Sequence, residues 1–172
     1  MNVLCALLLV LLVRGSPAAD ISLQISGGKM ALPGQFPYQA LIGAVDQATG
    51  LPDLDNVCAG ALIDSRWVLT AASCLSNPHV NYQVTFGAFD LKVDVEDTRV
   101  THTIKNKNIH ESYNAATGEN DIALLELVAS VDESEFVAPI RLPSAKQATQ
   151  SFWLWNGAVS GWGSTSKGKA PQ

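Results

Sequence analysis

Apolar and polar residues alternate with a period of two over several short stretches of this chain, with turn-forming segments between them. Residues 82–86 (YQVTF) alternate in this way, and residues 100–104 place Val100, His102 and Ile104 on one face. Residues 37–42, 61–63 and 67–69 predict further short strands, and Gly- and Pro-containing turns occur at 48–52 and 77–78. Because no 3.6-residue period lasts beyond a turn or two, the pattern predicts an all-β fold, either a barrel or a sandwich.

Two of these strands carry expectations about burial. Residues 122–127 (IALLEL) are almost continuously apolar, which predicts a strand covered on both faces. His102 lies on the mainly apolar face of its strand. We therefore expect a partly buried histidine whose ring nitrogens are hydrogen-bonded, and not a functional group.

The amino terminus has the pattern of a secretory signal peptide. Residues 3–13 are eleven consecutive apolar residues, too few for a membrane span, which needs about 20. Small residues follow, so cleavage is predicted near Ala18 or Ala19, with residues 1–19 as the signal peptide. A buried helix is the alternative, but nothing amphipathic interrupts the run. The sequence thus predicts a secreted, extracellular protein.

Charge and length limit the classes of partner. The chain has 172 residues, a formal net charge of −5 and no basic patch, so neither nucleic acid nor an anionic membrane surface is an expected partner. Removal of residues 1–19 leaves two cysteines, Cys58 and Cys74. In an oxidising compartment these predict one disulfide, with two free buried thiols as the alternative. No nearby His or Cys completes a ligand set, so neither a metal nor another cofactor is predicted.

Six short motifs, in order, resemble the chymotrypsin-like (S1) family of secreted serine endopeptidases. They are ISGG at 25–28, PGQFPY at 33–38, CAGALI at 58–63, WVLTAASC at 67–74, NDIALL at 120–125 and VSGWG at 159–163. The resemblance implies two antiparallel Greek-key barrels with the active site in the cleft between them. It further implies a short propeptide-like segment at 20–24 and a truncated family domain at 25–172. Within that domain, residues 25–135 would form the first barrel, and 136–172 the linker and the start of the second.

The family uses a Ser-His-Asp triad, in which the imidazole takes the proton of the serine hydroxyl. The family's Thr-Ala-Ala-His-Cys segment corresponds to residues 70–74 (TAASC), which places Ser73 at the histidine position. A hydroxyl has no accessible pKa near 7 and cannot serve as the base. His79, His102 and His110 do not lie in the motif. Asp121 occupies the aspartate position, where a structural carboxylate at the barrel rim is a better explanation than a remnant of the triad.

Two other catalytic parts also depart from the family pattern. The Gly-Asp-Ser-Gly-Gly segment that carries the nucleophile does not occur up to Gln172, and Gln24, not a basic residue, precedes Ile25. The sequence therefore predicts a truncated homologue without peptidase turnover, which binds a protein partner or regulates a protease cascade. The alternative is a truncated product or fragment of a serine endopeptidase involved in proteolysis.

Two further features leave alternatives open. Four acidic residues cluster between two strands: Asp90, Asp94, Glu96 and Asp97. Such a loop is either a calcium site, as in some family members, or a solvated acidic loop, and the second explanation is favoured. Residues 152–155 (FWLW) are strongly apolar. They form either a partner-binding surface or an exposed part of an incomplete product.

Overall fold

Six antiparallel strands close into one barrel in the computed structural model of the chain. The structure describes residues 28–46, 49–50, 52–75, 77, 79–93, 95–153 and 155–163. The strands are β1 Gln39–Val45, β2 Pro52–Asp64, β3 Trp67–Thr70, β4 Tyr82–Phe86, β5 Val100–Ile109 and β6 Ala123–Leu127. Helix is limited, within the described part, to a 3-10 helix at Ala72–Leu75 and the four-residue α1 at Ala145–Ala148. The predicted all-β fold is confirmed.

The barrel is closed because each strand has a neighbour on both sides, in the order β1-β2-β3-β6-β5-β4. All six pairings are antiparallel. The register shifts near Val45, Asp64 and Asn106. Irregularities of this kind increase the local twist and help a sheet to curve into a barrel.

Alternate residues of the strands point into the barrel and form its core. Leu62, Val68, Val84, Phe86 and Leu125 are each 0% exposed. After β6, Val131 and Val137 pack against the same cluster and are 5% and 1% exposed. The segment that leaves the barrel is therefore anchored to it over its first ten residues or so.

One burial expectation was wrong, for β6, and the expectation for His102 was right about partial burial but wrong about hydrogen bonding. Strand β6 is not covered on both faces: its residues alternate between buried and half-buried, and the neighbouring Ile122 is 46% exposed. His102 is half-buried, with its ring edge-on to Phe86 at 5.8 Å between centroids. Its Nε2 is buried but has no hydrogen-bond partner among the described residues. Burial lowers the pKa of His102 below its ordinary value, and the negative charge of Asp132 acts in the opposite direction.

The described residues from 128 to 163 contain no strand, and many of their apolar side chains are exposed. Trp153 is 80% and Val159 83% exposed. The stretch returns to the barrel at residues 160–162. The predicted signal peptide at 1–19 and the segment at 20–24 lie outside the described residues. Within the described part, every helix is too short to cross a bilayer.

Candidate functional site

Ser73 and Asp121 meet at one end of the barrel. Strand β3 pairs with β6 through Thr70 and Ala123, so the residues just beyond these strand ends are neighbours in space. The backbone N–H of Ser73 donates to Asp121 Oδ1 at 2.7 Å, and the Ser73 hydroxyl donates to Asp121 Oδ2 at 2.8 Å. Both residues are exposed. The two residues that the resemblance assigned to the triad are therefore in direct contact.

The backbone at Asn120 positions the aspartate. Asn120 has φ +56°, in the left-handed region that Asn tolerates better than most residues with a side chain. Its Nδ2 donates to the Ser112 carbonyl at 3.0 Å, and its carbonyl accepts the Ile122 N–H at 2.8 Å. These bonds fix the chain on either side of Asp121. The Asn-Asp pair thus turns the carboxylate toward the 3-10 helix that carries Ser73.

A disulfide holds the serine from the other side. Cys74, directly after Ser73, is bonded to Cys58 of β2, with 5.8 Å between the Cα atoms. The predicted Cys58–Cys74 pairing is confirmed. Thr70 Oγ1 also donates to the Ala59 carbonyl at 2.9 Å, so β2 contacts the approach to Ser73 at two points. The position of Ser73 is therefore set by covalent and hydrogen-bonded links to the barrel.

This arrangement supports hydrogen bonding but not proton transfer. Each carboxylate oxygen of Asp121 accepts one hydrogen bond from Ser73. A carboxylate, with an ordinary pKa near 4, is far too weak a base to remove a proton from an aliphatic hydroxyl. The nearby His110 uses Nδ1 to accept the Ser112 N–H at 3.1 Å. The Ser73–Asp121 contact is a cross-link between two segments at the rim of the barrel.

One carboxylate of the acidic loop, that of Glu96, is bound by a cation of the same loop and is largely buried. Glu96 Oε2 accepts from Arg99 Nε at 2.6 Å, and both side chains are only 14% exposed. The Glu96 carboxylate also accepts the backbone N–H groups of Phe89 and Asp90 at 3.0 and 2.9 Å. The expectation of a solvated loop was wrong for Glu96. Arg99, three residues further on, was the sequence signal that would have revealed it.

Glycine is required where this loop leaves β4. Gly87 has φ +68°, and a Cβ there would clash with the Thr98 carbonyl oxygen. Thr98 Oγ1 donates to the Gly87 carbonyl at 2.7 Å, which closes the base of the loop. Among the described residues, which leave out Asp94, no group of three or more His, Cys, Asp or Glu side chains is placed to hold a metal ion.

A cavity of about 350 Å³ lies on the outside of the barrel, where residues 159–162 return to it. Trp162 Nε1 donates to the Phe89 carbonyl at 3.2 Å, and Ser160 Oγ donates to Gln39 Oε1 at 2.8 Å. Aromatic side chains form much of the lining: Phe36, Phe89, Phe136 and Trp162. Sequence reasoning missed this cavity, because its walls come from segments far apart along the chain.

Comparisons with known proteins identify the family to which this chain belongs. The sequence profile of the Trypsin family matches residues 25–172. Serine protease filzig of Drosophila melanogaster is 37% identical over 142 residues, which cover 81% of this chain and 8% of that protein. Chymotrypsin of Phaedon cochleariae is 33% identical over 149 residues, 87% of this chain and 51% of that protein.

Two further relatives extend this picture. Coagulation factor IX of Cavia porcellus is 31% identical over 147 residues, 84% of this chain and 48% of that protein. The solved structure titled "Structure of GrC" is 28% identical with a TM-score of 0.62, and the match covers 83% of this chain and 59% of that one. The matches thus span between 8% and 59% of the length of these proteins.

Proposed function

Because this chain belongs to the trypsin family of serine-type endopeptidases, we propose that it is a secreted family member that acts by binding protein, without peptidase turnover. The observation that carries the proposal is the Ser73–Asp121 contact, with its two hydrogen bonds of 2.7 and 2.8 Å. The serine fills the position at which the family needs an imidazole, and it occupies the carboxylate that would orient one. Loss of a triad residue lowers the rate of catalysis by a factor of about 10⁴ to 10⁶.

Secretion is supported by the apolar run at residues 3–13, by the small residues that follow it, and by the Cys58–Cys74 disulfide. Cleavage after Ala18 or Ala19 would remove Cys5, the third cysteine. Mass spectrometry of the secreted protein is expected to find an amino terminus at Ala19 or Asp20. Retention of residues 1–19 would contradict this part of the proposal.

The catalytic part is tested on the purified protein with a panel of peptide substrates and a fluorophosphonate that labels activated serines. We expect neither hydrolysis nor labelling. Hydrolysis that disappears in Ser73→Ala would contradict the proposal, because the activity would then depend on this site. Hydrolysis that persists in both Ser73→Ala and Asp121→Asn would identify a contaminating protease.

Restoring the imidazole separates the base from the other catalytic parts. In Ser73→His, the histidine would stand next to Asp121 as the family pattern requires. We expect the 172-residue chain to remain inactive, because its sequence contains no Gly-Asp-Ser-Gly-Gly segment for the base to activate. Peptide hydrolysis by Ser73→His would overturn this account.

The second candidate is that the chain is part of a serine endopeptidase. The extent of the matches favours it, since the aligned region spans only 48% of factor IX, 51% of the beetle chymotrypsin and 59% of the solved chain. The intact mass of the protein from its natural source decides between the two candidates. A mass that matches the chain without its signal peptide supports the binding protein, and a substantially larger mass supports the endopeptidase.

A further inference from the structure

The cavity beside residues 159–162 has the size and the walls of a binding site. Its volume, about 350 Å³, lies within the range of about 300–1,000 Å³ that is usual for ligand pockets. Most of the exposed side chains at the mouth are apolar, since Met30 is 54%, Leu32 71% and Val159 83% exposed, and Lys29 is the exposed cation beside them. The polar pair inside it, Ser160 and Gln39, is already hydrogen-bonded. Such a cavity is suited to an apolar occupant.

An exposed aromatic turn lies just before the cavity in the sequence. We define it by Phe152, Trp153 and Trp155, which are 46%, 80% and 65% exposed. Phe152 and Trp155 are held against each other, because the Trp155 N–H donates to the Phe152 carbonyl at 3.0 Å and the two rings stack edge-to-face at 5.3 Å. Rings held in place in advance lose little conformational freedom when they bind. Their exposure also means that they do not fill the cavity of their own chain.

We infer that two copies of this chain form a two-fold symmetric dimer, in which the aromatic turn of each copy inserts into the cavity of the other. The inference rests on the proposed function, since it names a second copy as the bound protein. A two-fold contact of this kind is self-complementary, because each copy contributes the same protruding part and the same cavity.

The area available is sufficient for a stable dimer. An aromatic side chain buries roughly 150–250 Å². Phe152, Trp153 and Trp155 are 46%, 80% and 65% exposed, so each copy has exposed aromatic surface of about two such side chains. Burial of this surface in both copies, and of an equal area of the cavity walls that it covers, would bury roughly 1,100–1,900 Å² in total. Stable interfaces bury about 1,200–2,000 Å².

Charge also favours this contact despite the net charge of −5. Residues 147–166 contain no charged side chain. The cavity lining contains one cation and one anion, Lys29 and Asp90, so an uncharged turn that enters it brings no like charges together.

The test is the mass of the purified full chain in solution, measured by light scattering over about a hundredfold range of concentration. We expect a dimer. Trp153→Ser combined with Trp155→Ser is expected to raise the dimer dissociation constant at least tenfold, as loss of central aromatic residues does. Val128→Ser is the matched control, since Val128 is also exposed (54%) but belongs to neither surface, and it should leave the constant unchanged.

A cavity variant completes the test. Leu32→Glu places a carboxylate at the mouth and should also prevent dimerisation. Mixed with the double tryptophan variant, it should form a weak heterodimer, because one turn and one cavity remain intact between the two chains. Circular dichroism and melting temperature show whether each variant is folded.

Three results would overturn the inference. The first is a wild-type chain that stays monomeric over the whole concentration range, even if it binds a different protein. The others are open-ended polymers, and a dimer whose dissociation constant neither the double tryptophan variant nor Leu32→Glu changes. The hydrolysis assay on the same sample keeps the two proposals apart. A dimer with turnover would refute the proposed function alone, and an inactive monomer would refute only the dimer.

Discussion

The barrel and residues 128–163, which follow it, both contain large aromatic side chains, but only the barrel buries them. In the barrel, Phe86 is completely buried, because six strands surround it and each strand has neighbours on both sides. In residues 128–163, Trp153 and Trp155 are 80% and 65% exposed, although a tryptophan side chain has at least as much apolar surface as a phenylalanine. Closure by paired strands, and not apolarity alone, therefore decides which large residues are buried in this chain.

The largest expected effect contrasts one aromatic residue from each region. Phe86→Ala should lower the free energy of unfolding by about 3–5 kcal/mol, because it leaves a cavity in the core. Trp153→Ala should change it by no more than about 0.5 kcal/mol, because the side chain is exposed. Urea denaturation, at concentrations low enough to keep the chain monomeric, measures both. Similar losses in the two variants would show that the two regions are packed alike.

The disulfide is expected to stabilise the barrel almost as strongly. Cys58→Ala combined with Cys74→Ala should reduce the free energy of unfolding by about 3 kcal/mol, because the unfolded chain loses a closed loop of this length. The sequence separation is 16 residues. Urea denaturation of the wild type with a reductant is the control and should reproduce the loss. If the reductant left the free energy of unfolding unchanged, the disulfide would not be restricting the conformations of the unfolded chain.

The Ser73–Asp121 contact is expected to have a smaller effect. Ser73→Ala removes the hydroxyl bond of 2.8 Å but keeps the backbone bond, so the loss should be about 0.5–1.5 kcal/mol. Ser65→Ala is the matched control, because the Ser65 hydroxyl only reaches the neighbouring Asp64, at 3.3 Å. Ser73→Thr should restore most of the loss. An equal effect of the two alanine substitutions would argue against a cross-link at the rim.

The smallest expected effect is a pH dependence that originates inside the barrel. Burial lowers the pKa of His102 below its ordinary value of 6.5 in the folded state. The unfolded chain therefore takes up this proton first as the pH falls, and the barrel should lose stability below about pH 6.5 until the folded-state pKa is reached. Denaturation curves between about pH 5 and 8 should show this slope in the wild type and a reduced slope in His102→Leu. An identical slope in both would exclude His102 as its source.

The sequence predicted the barrel strands well where alternation was clear. Residues 82–86 coincide with β4, and the predicted strand at 67–69 falls within β3. The second half of β5 was missed, because residues 105–109 are mostly polar and all exposed, and only pairing with β6 shows that they form a strand. The alternation of apolar and polar residues indicates which side chains are buried. It therefore cannot predict a strand whose side chains are exposed and which is held mainly by backbone hydrogen bonds.

Prediction of the site was limited in the same way. The motif order assigned Ser73 to the family's histidine position and Asp121 to its aspartate position. It could not predict their contact, because 47 residues separate them and the contact depends on the pairing of β3 with β6. The disulfide followed from cysteine number and compartment. The cavity could not be predicted, because Phe36, Phe89 and Trp162 are brought together only by the closed fold.

The closure of the barrel also determines how this protein would aggregate when it is concentrated or stored. Aggregation through sheet extension needs a row of unpaired backbone amides, and a barrel whose strands all have two neighbours does not present a whole free edge. Precipitation of the folded protein would instead begin with exposed apolar side chains outside the proposed dimer contact, such as Val95 and Leu142. The deposits should be amorphous, should not bind amyloid dyes, and should redissolve as folded protein on dilution.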